Sequence, residues 1–316
     1  MQCPQKRVVF GQMNQNLTSP HIISPDCYER HEIIGKGTFA IVRRGINKET
    51  GQTVAIKTIK FPIVNERDQI LFTREKDICS IFDHEAVITF LGYSNQSLGT
   101  MEGPSLYFEY IPNGNLSSAL RAEHRNQPLP GWTPTVKSKI IYGIASGMAH
   151  IHSRGVIHRD LKPAEILLTE NYEPRISDFG LSILNTSETH ILKCGTPIFM
   201  APEVIDGDGL YGPAIDVYSF AILLFFFYTD NIAFPGKKLI TNLPTLYRTI
   251  LEGSRLQRDP IIPDNAWDLI VKCWAEDPKN RPTFDEIKQI IIQNKIQFEG
   301  TDMNEYNAYI ARLDPV

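Results

Sequence analysis

The hydrophobic period of this chain changes part-way along, and that change limits its fold more than any other feature. Segments 32–35, 40–46, 53–60, 87–93 and 105–110 read as strands, with Glu49-Thr50-Gly51-Gln52 as a turn between the second and third. A helix is predicted over 65–82, where Ile70, Leu71, Arg74, Glu75, Ile78 and Phe82 recur at helical spacing and Asn65 is a candidate N-cap. After Asn113-Gly114 helices dominate. Thr133-Pro134 opens one with an N-cap and a proline at the first helical position, and Ile140, Ile141, Ile144, Met148 and Ile151 form its apolar stripe. Further helices are predicted over 213–229, 243–252, 264–275 and 283–294. Strands first and helices second imply an α+β chain in two lobes, a small β-rich one over about 27–111 and a larger helical one over about 112–294. Residues 1–26 are polar and aperiodic, with Pro4, Pro20 and Pro25, and read as a mobile arm; residues 295–316 read as a tail without an assigned role.

The chain has 316 residues, 42% hydrophobic and 22% charged, an ordinary globular balance. Its net charge of −4 gives no reason to expect nucleic acid or anionic lipid as a partner. Cys3, Cys27, Cys79, Cys194 and Cys273 are scattered and odd in number, which argues against a disulfide framework or a zinc site and for a reducing compartment. Residues 1–10 hold Lys6 and Arg7 but no apolar stretch follows, so no signal peptide is read there. The longest apolar run, 220–228, is far short of the roughly 20 residues a membrane span needs, and a buried core helix is expected instead.

Several short motifs follow one another in a fixed order. Gly35-Lys36-Gly37-Thr38-Phe39-Ala40-Ile41-Val42 lies between two predicted strands, where glycines let the backbone close over phosphates. A second strand follows it rather than a helix, which argues against a dinucleotide-binding loop. Val54-Ala55-Ile56-Lys57 sits on the next strand and precedes the helix bearing Glu75. A lone strand lysine is usually a surface residue, but in this order a Lys57–Glu75 pair would hold an ammonium extended toward phosphates. Then come His158-Arg159-Asp160-Leu161-Lys162-Pro163-Ala164-Glu165, Asp178-Phe179-Gly180, Thr196, Ala201-Pro202-Glu203 and Arg281. A carboxylate at Asp178 suits a phosphate-bridging Mg²⁺, and Glu203 with Arg281 reads as a buried structural ion pair.

Each motif alone is weak; their order and spacing together are specific. Over about residues 28–294 the chain resembles the eukaryotic protein kinase family. The resemblance implies a bilobal protein-kinase-like fold with ATP and Mg²⁺ between the lobes, Mn²⁺ being the second candidate metal, and transfer of the γ-phosphate to protein serine or threonine hydroxyls. It implies Asp160 as catalytic base, with Lys162, Lys57 and Glu75 in the catalytic set. Ile34, Gly35, Lys36, Gly37, Val42, Ala55, Lys57 and Leu167 would surround the nucleotide. Phe108 would be the gatekeeper, with Glu109, Tyr110 and Ile111 as the adenine-binding hinge and Asn115 near the ribose. Asp178 and Glu165 would hold metal. Cys79, His158 and Phe179 would stack between the lobes above the helix that begins with Asp216. Thr196 would contact Asp160. Thr186, Ser187 and Thr189 have two readings: sites at which a phosphate pairs with Arg159 and orders the activation segment, or ordinary loop hydroxyls. Asp216-Val217-Tyr218-Ser219-Phe220-Ala221, Cys273-Trp274 and 277–284 resemble the tyrosine-kinase-like subgroup, which mostly phosphorylates serine and threonine. Protein substrates and upstream regulators are the implied partners, in intracellular signalling, with a cytoplasmic location and no membrane insertion.

One position departs from the family pattern. The fifth residue after the catalytic Asp is normally Asn, and here it is Glu165. Glu supplies a hard oxygen to a metal but no amide donor, and it adds negative charge beside Asp160 and Asp178. Two readings follow: a working kinase, favoured by the otherwise complete set, or a pseudokinase scaffold with an impaired metal site. A small-molecule phosphotransferase is disfavoured by Thr196, Ala201-Pro202-Glu203 and Arg281, which in the family build the peptide-binding floor.

Overall fold

The alternation in the first third becomes one antiparallel sheet. β1 (Tyr28–Lys36), β2 (Ala40–Asn47) and β3 (Thr53–Ile59) are followed by helix α1 (Glu66–Cys79) and then β4 (Phe90–Ser94) and β5 (Ser105–Glu109), in the order β1-β2-β3-β5-β4. The computed structural model describes residues 21–60, 66–96, 103–185, 194–207, 211–229, 234 and 242–315; the candidate cap Asn65 lies outside them. In β3, Val54, Ile56 and Thr58 are buried on one face, which leaves Ala55 and Lys57 on the other. The turn before β3 is held by the Asn47 side chain, which accepts from Glu49 N (2.9 Å) and Thr50 N (3.1 Å). On the far edge, Ile23 N donates to Tyr93 O at 2.7 Å and Tyr93 N donates to His21 O at 3.0 Å. Residues 21–23, in the segment read as an arm, therefore pair with β4.

The apolar stripe expected on α1 is shifted. Ile70 and Leu71 are exposed, whereas Glu75 and Ile78 of the expected stripe are buried and are joined there by Phe72 and Cys79. The buried set repeats at three- and four-residue intervals, as a helix packed by one face requires.

The second lobe is helical, as its period dictates. Its elements are α2 (Leu116–His124), α3 (Pro134–Ser153), α4 (Pro202–Asp206), α5 (Ala214–Tyr228), α6 (Leu243–Leu251), α7 (Asp264–Cys273), α8 (Phe284–Gln293) and α9 (Met303–Leu313). Short pairs β6 (Val156–Ile157) with β9 (Ile183–Leu184), and β7 (Ile166–Leu168) with β8 (Pro174–Ile176), carry the loops of the site. Thr133 Oγ1 accepts from Val136 N, so the Thr-Pro start of α3 acts as its cap. α5 is buried almost all round, which accounts for its apolar run. Among the described residues no helix is long and apolar enough to cross a membrane. The segment left without a role in sequence contains α9, which packs on α3. That contact needs a glycine, because a Cβ on Gly143 would run into Tyr309 Oη and lie 2.6 Å from Pro174 Cγ.

Candidate active site

Lys57 projects from β3 and Glu75 from α1, and their side chains meet at 2.6 Å. The same ammonium reaches Asp178 Oδ1 at 2.8 Å. Burial alone would lower the pKa of Lys57, but the Glu75 and Asp178 carboxylates outweigh it and hold the ammonium well above the ordinary lysine range. In return the Lys57 charge holds Asp178 below the ordinary carboxylate range. Asp178 adopts φ 61°, an uncommon conformation for a side chain-bearing residue.

The loop between β6 and β7 supplies the second cluster. Asp160 Oδ1 accepts from Thr196 N and Thr196 Oγ1, both at 2.8 Å. Lys162 bonds Asp160 Oδ2, donates to Thr196 Oγ1 at 2.8 Å and lies 3.1 Å from Glu165 Oε1. Burial would lower Lys162, yet the bond to Asp160 and the charge of Glu165 raise it. Glu165 moves the other way from Asp178. Burial first, then the Asp178 charge, push its pKa up, with Lys162 opposing. Two neighbouring carboxylates thus have their proton affinities driven apart. Glu165 therefore spends its side chain on Lys162. Its backbone carbonyl accepts from Ser177 N and Ser177 Oγ, both at 2.9 Å, which ties the loop to the Asp178 segment.

The loop itself is braced from below. Asp216, fully buried at the start of α5, accepts from His158 N and Arg159 N at 2.8 Å and pairs with His152 at 2.9 Å. Burial would raise its pKa, but these bonds keep it lowered. His158 Nδ1 accepts from Asp160 N at 3.3 Å and Nε2 donates to Ser177 O at 3.1 Å, so both ring nitrogens are used in structure. Its ring lies 5.2 Å from Phe179, which lies 4.7 Å from Phe82, and Cys79 is buried in the same core. Arg281 forms a bidentate pair with Glu203, at 2.6 and 2.9 Å, and also donates to Ala275 O and Ala214 O.

The residues the resemblance assigned to nucleotide lie on β1, β2, β3, β5, the segment after β5 and β7. Gly35 faces Val42 and Ala55 faces Phe108 across the ladders. Gly37 N donates to Ala40 O at 3.0 Å, closing the glycine turn, while Ile34, Lys36 and Gly37 stay exposed. Glu109 turns its carboxylate to Thr89 N and Oγ1, both at 2.8 Å. Tyr110 and Ile111 follow it, half-buried, and Leu167 bridges Asn115. Asn115 Oδ1 accepts from Ser118 N at 3.0 Å, capping α2, a role the sequence reading missed. Thr186, Ser187 and Thr189 lie outside the described residues. Arg159, expected to await a phosphate from them, is buried, donating to Leu181 O at 2.6 Å and Tyr211 Oη at 3.0 Å.

Gly195 and Tyr211 were also missed. Gly195 adopts φ 110°, and a Cβ there would lie 2.7 Å from Arg159 O. Only glycine lets the segment approach closely enough for Thr196 to reach Asp160. Its place one residue before Thr196 was the available signal.

The sequence is similar to known proteins. The family model for the protein kinase domain matches residues 28–291. The chain is 34% identical over 82% of its length to a protein of Dictyostelium discoideum named as a probable serine/threonine-protein kinase, and covers 27% of that protein. It is 30% identical over 90% of its length to the dual specificity protein kinase pyk3 of the same organism, covering 20% of it. It is 32% identical over 83% of its length to the CBL-interacting serine/threonine-protein kinase 24 of Arabidopsis thaliana, covering 56% of it. The chain thus spans about a quarter and a fifth of the first two relatives. With its sheet lobe, its helical lobe and a family match across most of its length, the chain belongs to the protein kinase family.

Proposed function

We propose that the protein is an ATP-dependent protein kinase acting on serine and threonine hydroxyls, of the tyrosine-kinase-like subgroup. The carrying observation is the pair of clusters around Lys57 and Asp160: Lys57 joins α1 to Asp178, and Thr196 and Lys162 orient Asp160. In this reading Asp160 accepts the proton of the substrate hydroxyl, Lys57 and Lys162 neutralise phosphate oxygens, and Thr196 fixes the carboxylate that receives the proton. The glycine loop covers the phosphates, and the segment from Phe108 to Ile111 receives the base. The dual-specificity name of one relative keeps tyrosine hydroxyls within the tested set.

Asp178 and Glu165 fit a hard divalent cation, which takes one or two carboxylates and completes its shell with phosphate oxygens and water. When bound, the cation supplies charge neutralisation on the phosphates. Mg²⁺ is the proposed metal.

Purified protein is given ATP with Mg²⁺ or Mn²⁺ and a mixed protein substrate, and phosphoamino acids are identified beside a nucleotide thermal-shift titration. Phosphoserine or phosphothreonine formed only with metal supports the reading. A nucleotide-induced shift with no transfer in either metal supports the scaffold reading that Glu165 suggests.

A further inference from the structure

The C-terminal helix takes no part in the chemistry proposed above, yet its bonds lead to the element that holds Glu75. Asp314, which ends α9, accepts from Tyr142 Oη at 2.8 Å and Ser146 Oγ at 3.0 Å and pairs with Lys288 at 2.8 Å. Ser146 Oγ lies 3.2 Å from His84 Nε2. His84 Nδ1 accepts from Ala86 N at 3.0 Å, so the ring donates through Nε2. The bonds therefore run in one direction, from His84 to Ser146 to Asp314. Beside them Arg312 reaches Glu85 at 2.9 Å and Glu173 at 2.6 Å.

His84 and Glu85 belong to the loop that leaves α1. That loop is also fixed to β8, where Ile176 N donates to Ala86 O at 2.8 Å and Ile88 N donates to Ile176 O at 2.9 Å. Phe82, at its start, packs on Phe179 beside Asp178. A helix is rigid along its length, so the position of its C-terminal end constrains Glu75, one turn back.

We propose that α9 is a positioning element for α1: the Asp314–Ser146–His84 chain and the Arg312–Glu85 pair fix the loop after α1, and through it the reach of Glu75 to Lys57. The residues named are positioning residues and touch no substrate. The alternative is that α9 merely covers α3 with Tyr306, Tyr309 and Leu313, which are buried. The two differ in where they act. A cover loosens α3 and α9 when disturbed, whereas a positioning element loosens the loop after α1.

Hydrogen exchange read by mass spectrometry on the full chain separates them, with Asp314→Ala, Asp314→Asn and Ser146→Ala. Asp314→Ala and Ser146→Ala are expected to speed exchange about tenfold in residues 80–88 and the C-terminal half of α1, with α5 and α7 unchanged. Asp314→Asn keeps an oxygen for Ser146 and Tyr142 and restores slow exchange there. Ser146→Ala removes one hydroxyl and leaves α9 its other contacts, so it decides the matter if Asp314→Ala does not fold. Faster exchange confined to α3 and α9, or a Ser146→Ala protein that exchanges like wild type, overturns the proposal. The catalytic consequence, a higher KM for ATP in Ser146→Ala with kcat less affected, rests on the phosphotransfer reading; the exchange result does not.

Discussion

Glu165 is where the chemistry of single residues matters most. It draws Lys162 to 3.1 Å while the same ammonium serves Asp160 and Thr196. Glu165→Asn removes a negative charge beside Asp178 and releases Lys162 to its other partners. Phosphotransfer at saturating ATP is expected to rise at least about tenfold, because charge stabilisation dominates this reaction. The gain should be larger with Mg²⁺ than with Mn²⁺, since Mg²⁺ tolerates imperfect geometry poorly. A fall in rate would make Glu165 an adapted ligand. Lys57→Met should abolish transfer and also lower stability by about 1–3 kcal/mol in urea unfolding, because it leaves the buried Glu75 carboxylate unpaired. Sequence alone pairs Lys57 with Glu75, because their order along the chain implies it. It does not reveal Glu165 reaching Lys162, since that depends on side-chain length and on the fold of a 310 turn at Pro163–Glu165.

Among the elements, those with a local cap or a clean period were legible. Thr133-Pro134 announces α3, and Thr283 with Glu286 forms a capping box at α8. The stripe on α1 was misjudged because exposed Ile70 and Leu71 mimic a core face; which face packs is decided by the sheet, not by the helix. α9 was missed although Asp302 caps it and Tyr306, Tyr309 and Leu313 recur at helical spacing, because its polar surface resembles a tail. The Arg281–Glu203 pair was legible as a pair, but only Arg281 is buried while Glu203 stays half-buried, and the extra bonds to Ala275 O and Ala214 O were not legible. Arg281→Ala takes the bidentate partner from the half-buried Glu203 and one donor from Ala275 O and Ala214 O, and should cost about 1–3 kcal/mol, measured by urea unfolding. A loss below about 1 kcal/mol would mean the segments around it hold without the pair.

For the whole molecule the two lobes meet around α1 and the loop after it, and that junction carries a pH dependence. Burial first, then the neighbouring His84, lowers the His150 pKa from 6.5 to about 4, and burial lowers His84 as well. Both rings are held neutral in the folded protein, whereas unfolded histidines charge near the ordinary value. The unfolded state therefore binds more protons, and stability falls as pH drops. The His150 contribution is complete above about pH 6.5 and is lost progressively toward about pH 4. The urea midpoint should be lower at about pH 5 than at pH 7.5, with a shallower dependence in His150→Gln; a flat wild-type profile would refute this.

The proposed phosphotransfer centres on Asp160, whose carboxylate is held by Thr196 and Lys162. The most direct measurement is incorporation of labelled γ-phosphate into a protein substrate by wild type and by Asp160→Asn, with equal folding and ATP binding verified for both. The predicted result is incorporation by wild type that falls by at least about a hundredfold in Asp160→Asn. Equal incorporation by the two proteins, or none by a wild type that binds ATP and metal, would contradict it.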